Sequence, residues 1–232
     1  MKHLFLLPFL TLSLSAFGQT NRTFPLDNFH SVDLSLPAEI HVEYGRSWKV
    51  EIEADEEAFE DLAVYVEDGE LTIEREGGDW WEWIFGGNEE RGLEVHIVMP
   101  EIRNLDIAGA AAVQVEGFSG GSLDIDVAGA AELELNGKFE KLTCDLAGAG
   151  ELTLIGGGRM LVLDLAGAAE VDAEHYLAEE VVVDAAGAID VVVYAGSSLV
   201  ADVSGAGELR YAGSPSTLKT DVSGAAEIEA LD

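Results

Sequence analysis

The chain reads as an all-β protein, a right-handed parallel β-helix (β-solenoid) with coils of about 19 residues. Three observations predict this. Seven copies of one motif begin at Asp106, Asp126, Asp145, Asp164, Asp184, Asp202 and Asp221, 18 to 20 residues apart. A fixed period of that length marks stacked supersecondary units, none of which can bury its apolar face alone. Within a repeat, apolar and polar residues alternate: Leu123, Ile125 and Val127 interleave with Asp124 and Asp126, and Leu133 and Leu135 with Glu132 and Glu134. Period two means strands with one buried face. The third observation is a glycine in every copy, at Gly109, Gly129, Gly148, Gly167, Gly187, Gly205 and Gly224, followed each time by Ala. Glycine permits positive φ and close backbone approach, so this column reads as the structural corner between two short strands.

Taken in chain order, the elements begin with a leader. Lys2 and His3 precede an apolar run from Leu4 to Leu14, and small residues follow at Ala16 and Gly18. Residues 1–18 therefore read as a secretory signal peptide. The run is shorter than the ~20 residues of a membrane span, and no later segment reaches that length. Residues 19–232 read as a single domain, with irregular coils and a cap over 19–105 and seven regular repeats over 106–232. Asp33–Val42, DLSLPAEIHV, aligns with Asp126–Leu135, DVAGAAELEL, as a degenerate further copy. Strands are expected at Lys49–Glu53, Ala63–Val66, Glu70–Glu74 and Leu93–Val98, and a short helical turn within Asp55–Asp61. Asp68-Gly69 suits a tight hairpin turn.

Acidic residues dominate: 45 Asp and Glu stand against 12 Lys and Arg, a formal charge of −33. Such a chain lacks the basic patch that nucleic acid or an anionic membrane requires. It favours cations, basic partners or neutral glycans, and the same charge also serves plain solubility. Cys144 is the only cysteine, so no internal disulfide forms. Its alternation with Ile125 and Leu163 places it in the core as a small hydrophobe.

The repeats LDIAGAAAV and DVSGAGEL, the entry FHSVDLSLPAEIHV (Phe29–Val42), DGELTIE (Asp68–Glu74) and VHIVMPEIRNLDIAGAA (Val95–Ala111) resemble the head GIN domain of auto-transporter adhesins. The likeness covers nearly all of the chain after the leader. It implies an exported bacterial protein with a β-helical fold and an envelope or surface location. It implies no established reaction and carries over no site residues.

Two carboxylate columns follow from the period. One is the motif Asp; the other is Glu132, Glu151, Glu170, Asp190, Glu208 and Glu227. Like charges ~4.8 Å apart repel by roughly 1 kcal/mol even in water. Hydrogen bonds from corner N–H groups, bridging cations or solvation could each offset this. Ca²⁺ held by Asp126, Asp145 and Asp164, or by Glu132, Glu151 and Glu170, is one such possibility, although no Gly-x-Asp calcium loop occurs. A solvated face that discourages edge pairing is the simplest reading of the Glu column.

The segment DWWEWIFGG holds Trp80, Trp81, Trp83 and Phe85 between glycine pairs. Exposed, these aromatics would bind a glycan, a partner surface or a membrane interface; folded inward, they would cap an open end. Enzyme motifs are absent: no Gly-x-Ser-x-Gly elbow, phosphate loop or HExxH occurs, and His30, His41, His96 and His175 show no ligand spacing. The expected function is that of an exported, non-catalytic binding or adhesion module without a cofactor. Its partner would be a glycan or surface protein, met by the repetitive face or the aromatic loop. A structural envelope protein that self-associates through its ends is the alternative. A polysaccharide-active enzyme is a third reading, with abundant carboxylate pairs but nothing to single one out. The compartment is the periplasm, the outer-membrane surface or the medium.

Overall fold

A computed structural model describes residues 20–75 and 93–231. The signal-peptide segment and the Trp80–Phe85 segment lie outside these residues. The strands are β1 (Thr20–Phe24), β2 (Ser31–Ser35), β3 (Glu39–Tyr44), β4 (Lys49–Ala54), β5 (Leu62–Glu67), β6 (Glu70–Arg75), β7 (Glu94–Met99), β8 (Asn104–Gly213) and β9 (Thr217–Ala230). One 3-10 turn, Glu56–Phe59, lies between β4 and β5. Among the described residues no helix is long and apolar enough to cross a membrane.

The all-β class holds, but the right-handed parallel β-helix does not. The strands form one mixed, nearly closed, barrel-like sheet in the order β1-β4-β7-β3-β8-β2-β6-β5, with β9 joined to β8. β1 pairs antiparallel with β4, β4 with β7, and β5 with β6. The reason lies in the connections. A parallel neighbour needs a crossover of a dozen or more residues, whereas Asp68-Gly69 joins β5 to β6 directly and only residues 45–48 separate β3 from β4. Asp68 (φ 50°) and Gly69 (φ 86°) both take positive φ, as a type I′ hairpin turn requires.

Parallel pairing prevails elsewhere. β2 lies between β6 and the start of β8, with Asp33 opposite Asp106. β3 lies between β7 and β8, with Ile40 opposite both Val95 and Val113. The segment at Asp33 thus meets the first repeat in the register its sequence likeness demands. β9 pairs with β8 at an offset of 19 residues, from Ser198–Thr217 to Tyr211–Ala230.

β8 runs 110 residues without a break in pairing, so it must bend repeatedly. It does so at the glycine column, where Gly129, Gly148 and Gly167 have φ between 129° and 142°. The apolar half of each alternation points inward: Leu123, Ile125, Leu133, Leu135, Leu163 and Cys144 are all buried. Phe29, Phe139 and Tyr176 are the largest wholly buried side chains. Each buried aliphatic side chain contributes roughly 1.5–3 kcal/mol, which is how a chain without a disulfide holds its shape. The polar half faces out and forms the columns described next.

Candidate functional site

The motif carboxylates stand in a row because each repeat from Asp106 to Asp202 places its Asp immediately before a buried apolar residue, Ile107, Val127, Leu146, Leu165, Ala185 or Val203, and stacks on its predecessor. Asp106, Asp126, Asp145 and Asp164 border a shallow groove of about 460 Å³, with Ala108, Ala128 and Ala147 along its wall. Asp106 is half-buried; Asp126, Asp145 and Asp164 are exposed. Burial, and then the charges of Asp126, Asp33 and Glu70, push the Asp106 carboxyl up to about 6. Burial followed by Asp126 and Asp164 also raises Asp145. The neighbouring Asp126 carboxyl contributes to both shifts, so crowding along the column makes these two groups hold a proton more tightly.

The second column borders another open shelf, of about 550 Å³. Its floor is Ala168, Ala169, Ala188 and Ile189, and its rim is Glu151, Glu170 and Asp190. Small side chains at the corners keep this surface flat. Arg210 lies 2.8 Å from Asp190 and 3.6 Å from Glu208, tying one repeat to the next. Arg159 sits likewise between Glu140 and Glu180, at 3.9 and 3.4 Å. Such exposed pairs stabilise little, but they place scarce cations where the carboxylates are densest.

Neither column gathers its carboxylates at a point. Among the described residues no three His, Cys, Asp or Glu side chains are arranged to hold a metal ion, including Asp126, Asp145 and Asp164 or Glu132, Glu151 and Glu170. One carboxylate per repeat makes a line, whereas Ca²⁺ needs six to eight oxygens around a centre. Cys144 is enclosed, and burial followed by Asp145, Asp124 and Asp126 pushes its thiol well above the usual range. It is not poised as a nucleophile.

One grouping escapes a reading of spacing along the chain. His41 and His96, 55 positions apart, are opposite one another on β3 and β7 and stack at 4.9 Å. The available signal is the repeated Glu-x-His of Glu39-Ile40-His41 and Glu94-Val95-His96. The C-terminal strand adds an apolar surface. Leu199 and Val203 are 0% and 1% exposed, but their register partners in β9, Leu218 and Val222, are 48% and 41% exposed.

The family described as "putative auto-transporter adhesin, head GIN domain" matches residues 28–215. No curated protein matches the chain. Among solved structures, a "putative adhesin" from Bacteroides fragilis is similar at TM-score 0.78 and 19% identity, over 92% of this chain and 97% of the other. A "putative lipid binding protein" from Parabacteroides distasonis is similar at TM-score 0.71 and 19% identity, over 93% and 97%. A "putative adhesin" from the same species gives TM-score 0.69 at 16% identity, over 93% and 98%. At such identities the likeness concerns the fold.

Proposed function

Because the chain belongs to the family of auto-transporter adhesin head GIN domains, we propose that it is an exported, non-catalytic binding module of the bacterial cell envelope or surface. It engages a glycan or surface protein through its repetitive outer face. One observation carries this reading: an open shelf of small residues, rimmed by Glu151, Glu170 and Asp190, extends across successive repeats. Such a surface offers the same weak contact several times over, and repeated contacts held at fixed spacing give avidity without a deep pocket. An enclosed, water-excluding chamber, the usual setting for catalysis, is a different kind of surface. Export is supported by the signal-peptide pattern of residues 1–18 and by the adhesin family.

The aromatic segment Trp80, Trp81, Trp83 and Phe85 is the second candidate to test, since aromatic rings suit sugar faces. The experiment is a broad glycan array probed with residues 19–232, a Trp80/Trp81/Trp83→Ala variant and a Glu151/Glu170/Asp190→Lys variant. Binding lost only in the lysine variant supports the repetitive face. Loss only in the alanine variant moves recognition to the aromatic segment. Binding by none of the three counts against a glycan partner.

The exposure of Leu218 and Val222 favours a second reading, self-association through β9. An unpaired strand edge beside apolar side chains invites another strand. Sedimentation velocity over a hundredfold concentration range tests it, with Val222→Glu expected to hold the protein monomeric.

A further inference from the structure

Among the described residues β9 pairs with β8 and with no other strand, so its outer edge is open to a further one. Its alternation continues that of the repeats before it. Leu218, Val222 and Ile228 lie opposite Leu199, Val203 and Leu209. The three in β8 are buried, whereas Leu218 and Val222 remain exposed and Ile228 half-buried. One more strand laid on β9 would cover them as β9 covers β8.

The sequence of β9 sets which strand fits. A two-fold axis pairs a strand antiparallel with its own copy, and residues directly opposite then point to the same side. An axis placed between two residues would set each apolar side chain opposite a polar one, so the axis must fall on a residue. On Ser223, it sets Leu218 opposite Ile228 of the second copy, Thr220 opposite Ala226, and Lys219 opposite Glu227, each contact occurring twice. Asp221 then faces Ala225. Moving the axis to Gly224 sets Asp221 against Glu227, and moving it to Val222 leaves Lys219 facing Ala225. A chain of net charge −33 pairs with itself only where its acids are kept apart. The register on Ser223 does this and uses the one cation of β9. It also brings the two Gly224 corners alongside each other, so both strands bend together.

We propose that a second copy of this chain docks on β9, antiparallel about a two-fold axis at Ser223, to give an end-to-end dimer. This rests on the reading of self-association through β9 and supplies its symmetry, register and closure. A two-fold contact occupies the edge of both copies, so assembly through β9 stops at two. Glu151, Glu170 and Asp190, which rim the repetitive shelf, lie on earlier repeats and stay free in each copy.

The test uses residues 19–232 with one cysteine added, because Cys144 is buried and does not compete. Ser223 and Thr217 are both exposed. Ser223→Cys sets two thiols opposite one another across the axis, with β-carbons ~4.5–5.5 Å apart, so mild oxidation should yield a disulfide-linked dimer. Thr217→Cys faces Glu229 of the second copy and should stay unlinked. In sedimentation velocity over a hundredfold concentration range, the native mass should double. Lys219→Glu should weaken the dimer about tenfold, since the pair is lost twice, and Lys219→Glu/Glu227→Lys should restore it. A native mass that doubles while Ser223→Cys fails to cross-link, or links no better than Thr217→Cys, overturns the register and leaves self-association standing. A double variant as weak as Lys219→Glu alone does the same. A monomer at every concentration overturns both.

Discussion

Gly167 packs directly on Gly148: a β-carbon on Gly167 would overlap the Gly148 carbonyl oxygen and lie 3.0 Å from the carbonyl carbon. The same overlap recurs along the column, from Gly129 on Gly109 to Gly224 on Gly205. Repeat spacing is thus set by backbone meeting backbone, with no room for a side chain between.

Three alanine variants separate the two reasons for glycine. Gly120 is free of positive φ and has nothing within 4 Å, so Gly120→Ala should change stability by no more than about 0.5 kcal/mol. Gly109 has φ +110° but open space around it, so Gly109→Ala should lose about 1–3 kcal/mol to backbone strain. Gly167 has φ +129° and the overlap as well, so Gly167→Ala should lose about 2–5 kcal/mol. Urea denaturation ranks the three, and equal losses at Gly120 and Gly167 would contradict the stacking account.

The Asp column predicts a pH dependence of stability. Asp106 is raised from 3.8 to about 6, so the folded chain binds its proton more tightly than the unfolded chain does. Stability from this group is therefore highest below about pH 4 and falls as pH rises through about 6. Asp106→Asn should flatten that slope and stabilise the protein at pH 7, by about 1 kcal/mol at most once solvent screening is allowed for. Urea melts at pH 4 and pH 7 measure it. A variant less stable than the native protein at pH 7 would show that the ionised carboxylate is needed.

Cys144 is buried, and its thiol is held in the protonated form at neutral pH. Dithionitrobenzoate should fail to react with the folded protein and should titrate one thiol in guanidinium. Rapid reaction in the native state would mean that the core around Leu142 and Leu146 opens locally.

Val203 and Val222 occupy equivalent places in β8 and β9 but differ in exposure, 1% against 41%. Val203→Ala should lose about 1–3 kcal/mol and Val222→Ala near zero in dilute solution. A large loss at Val222 that grows with protein concentration would indicate that a second copy covers β9.

Alternation told which residues face the core, and the recurring glycine told where the chain bends; Leu123, Ile125 and Gly148 behave as their positions suggest. Strand direction was less legible. Alternation is the same read forwards or backwards, so it yields a strand at Lys49–Glu53 without its direction, and β4 runs antiparallel to β7. The short connection after Tyr44 was the clue, because it cannot complete a crossover. The His41–His96 pair was hidden for another reason: its partners meet only because β7 inserts between β3 and β4, a topological fact that spacing along the chain does not carry. The carboxylate columns were legible as rows, but not the partial burial that shifts Asp106.

The most direct test of the binding account is a glycan array printed at several ligand densities and probed with residues 19–232. A repetitive face engaging many weak contacts predicts signal that rises more steeply than ligand density, and that falls away in the Glu151/Glu170/Asp190→Lys variant. Absence of binding at every density, or binding that tracks density linearly and survives in the variant, would contradict it.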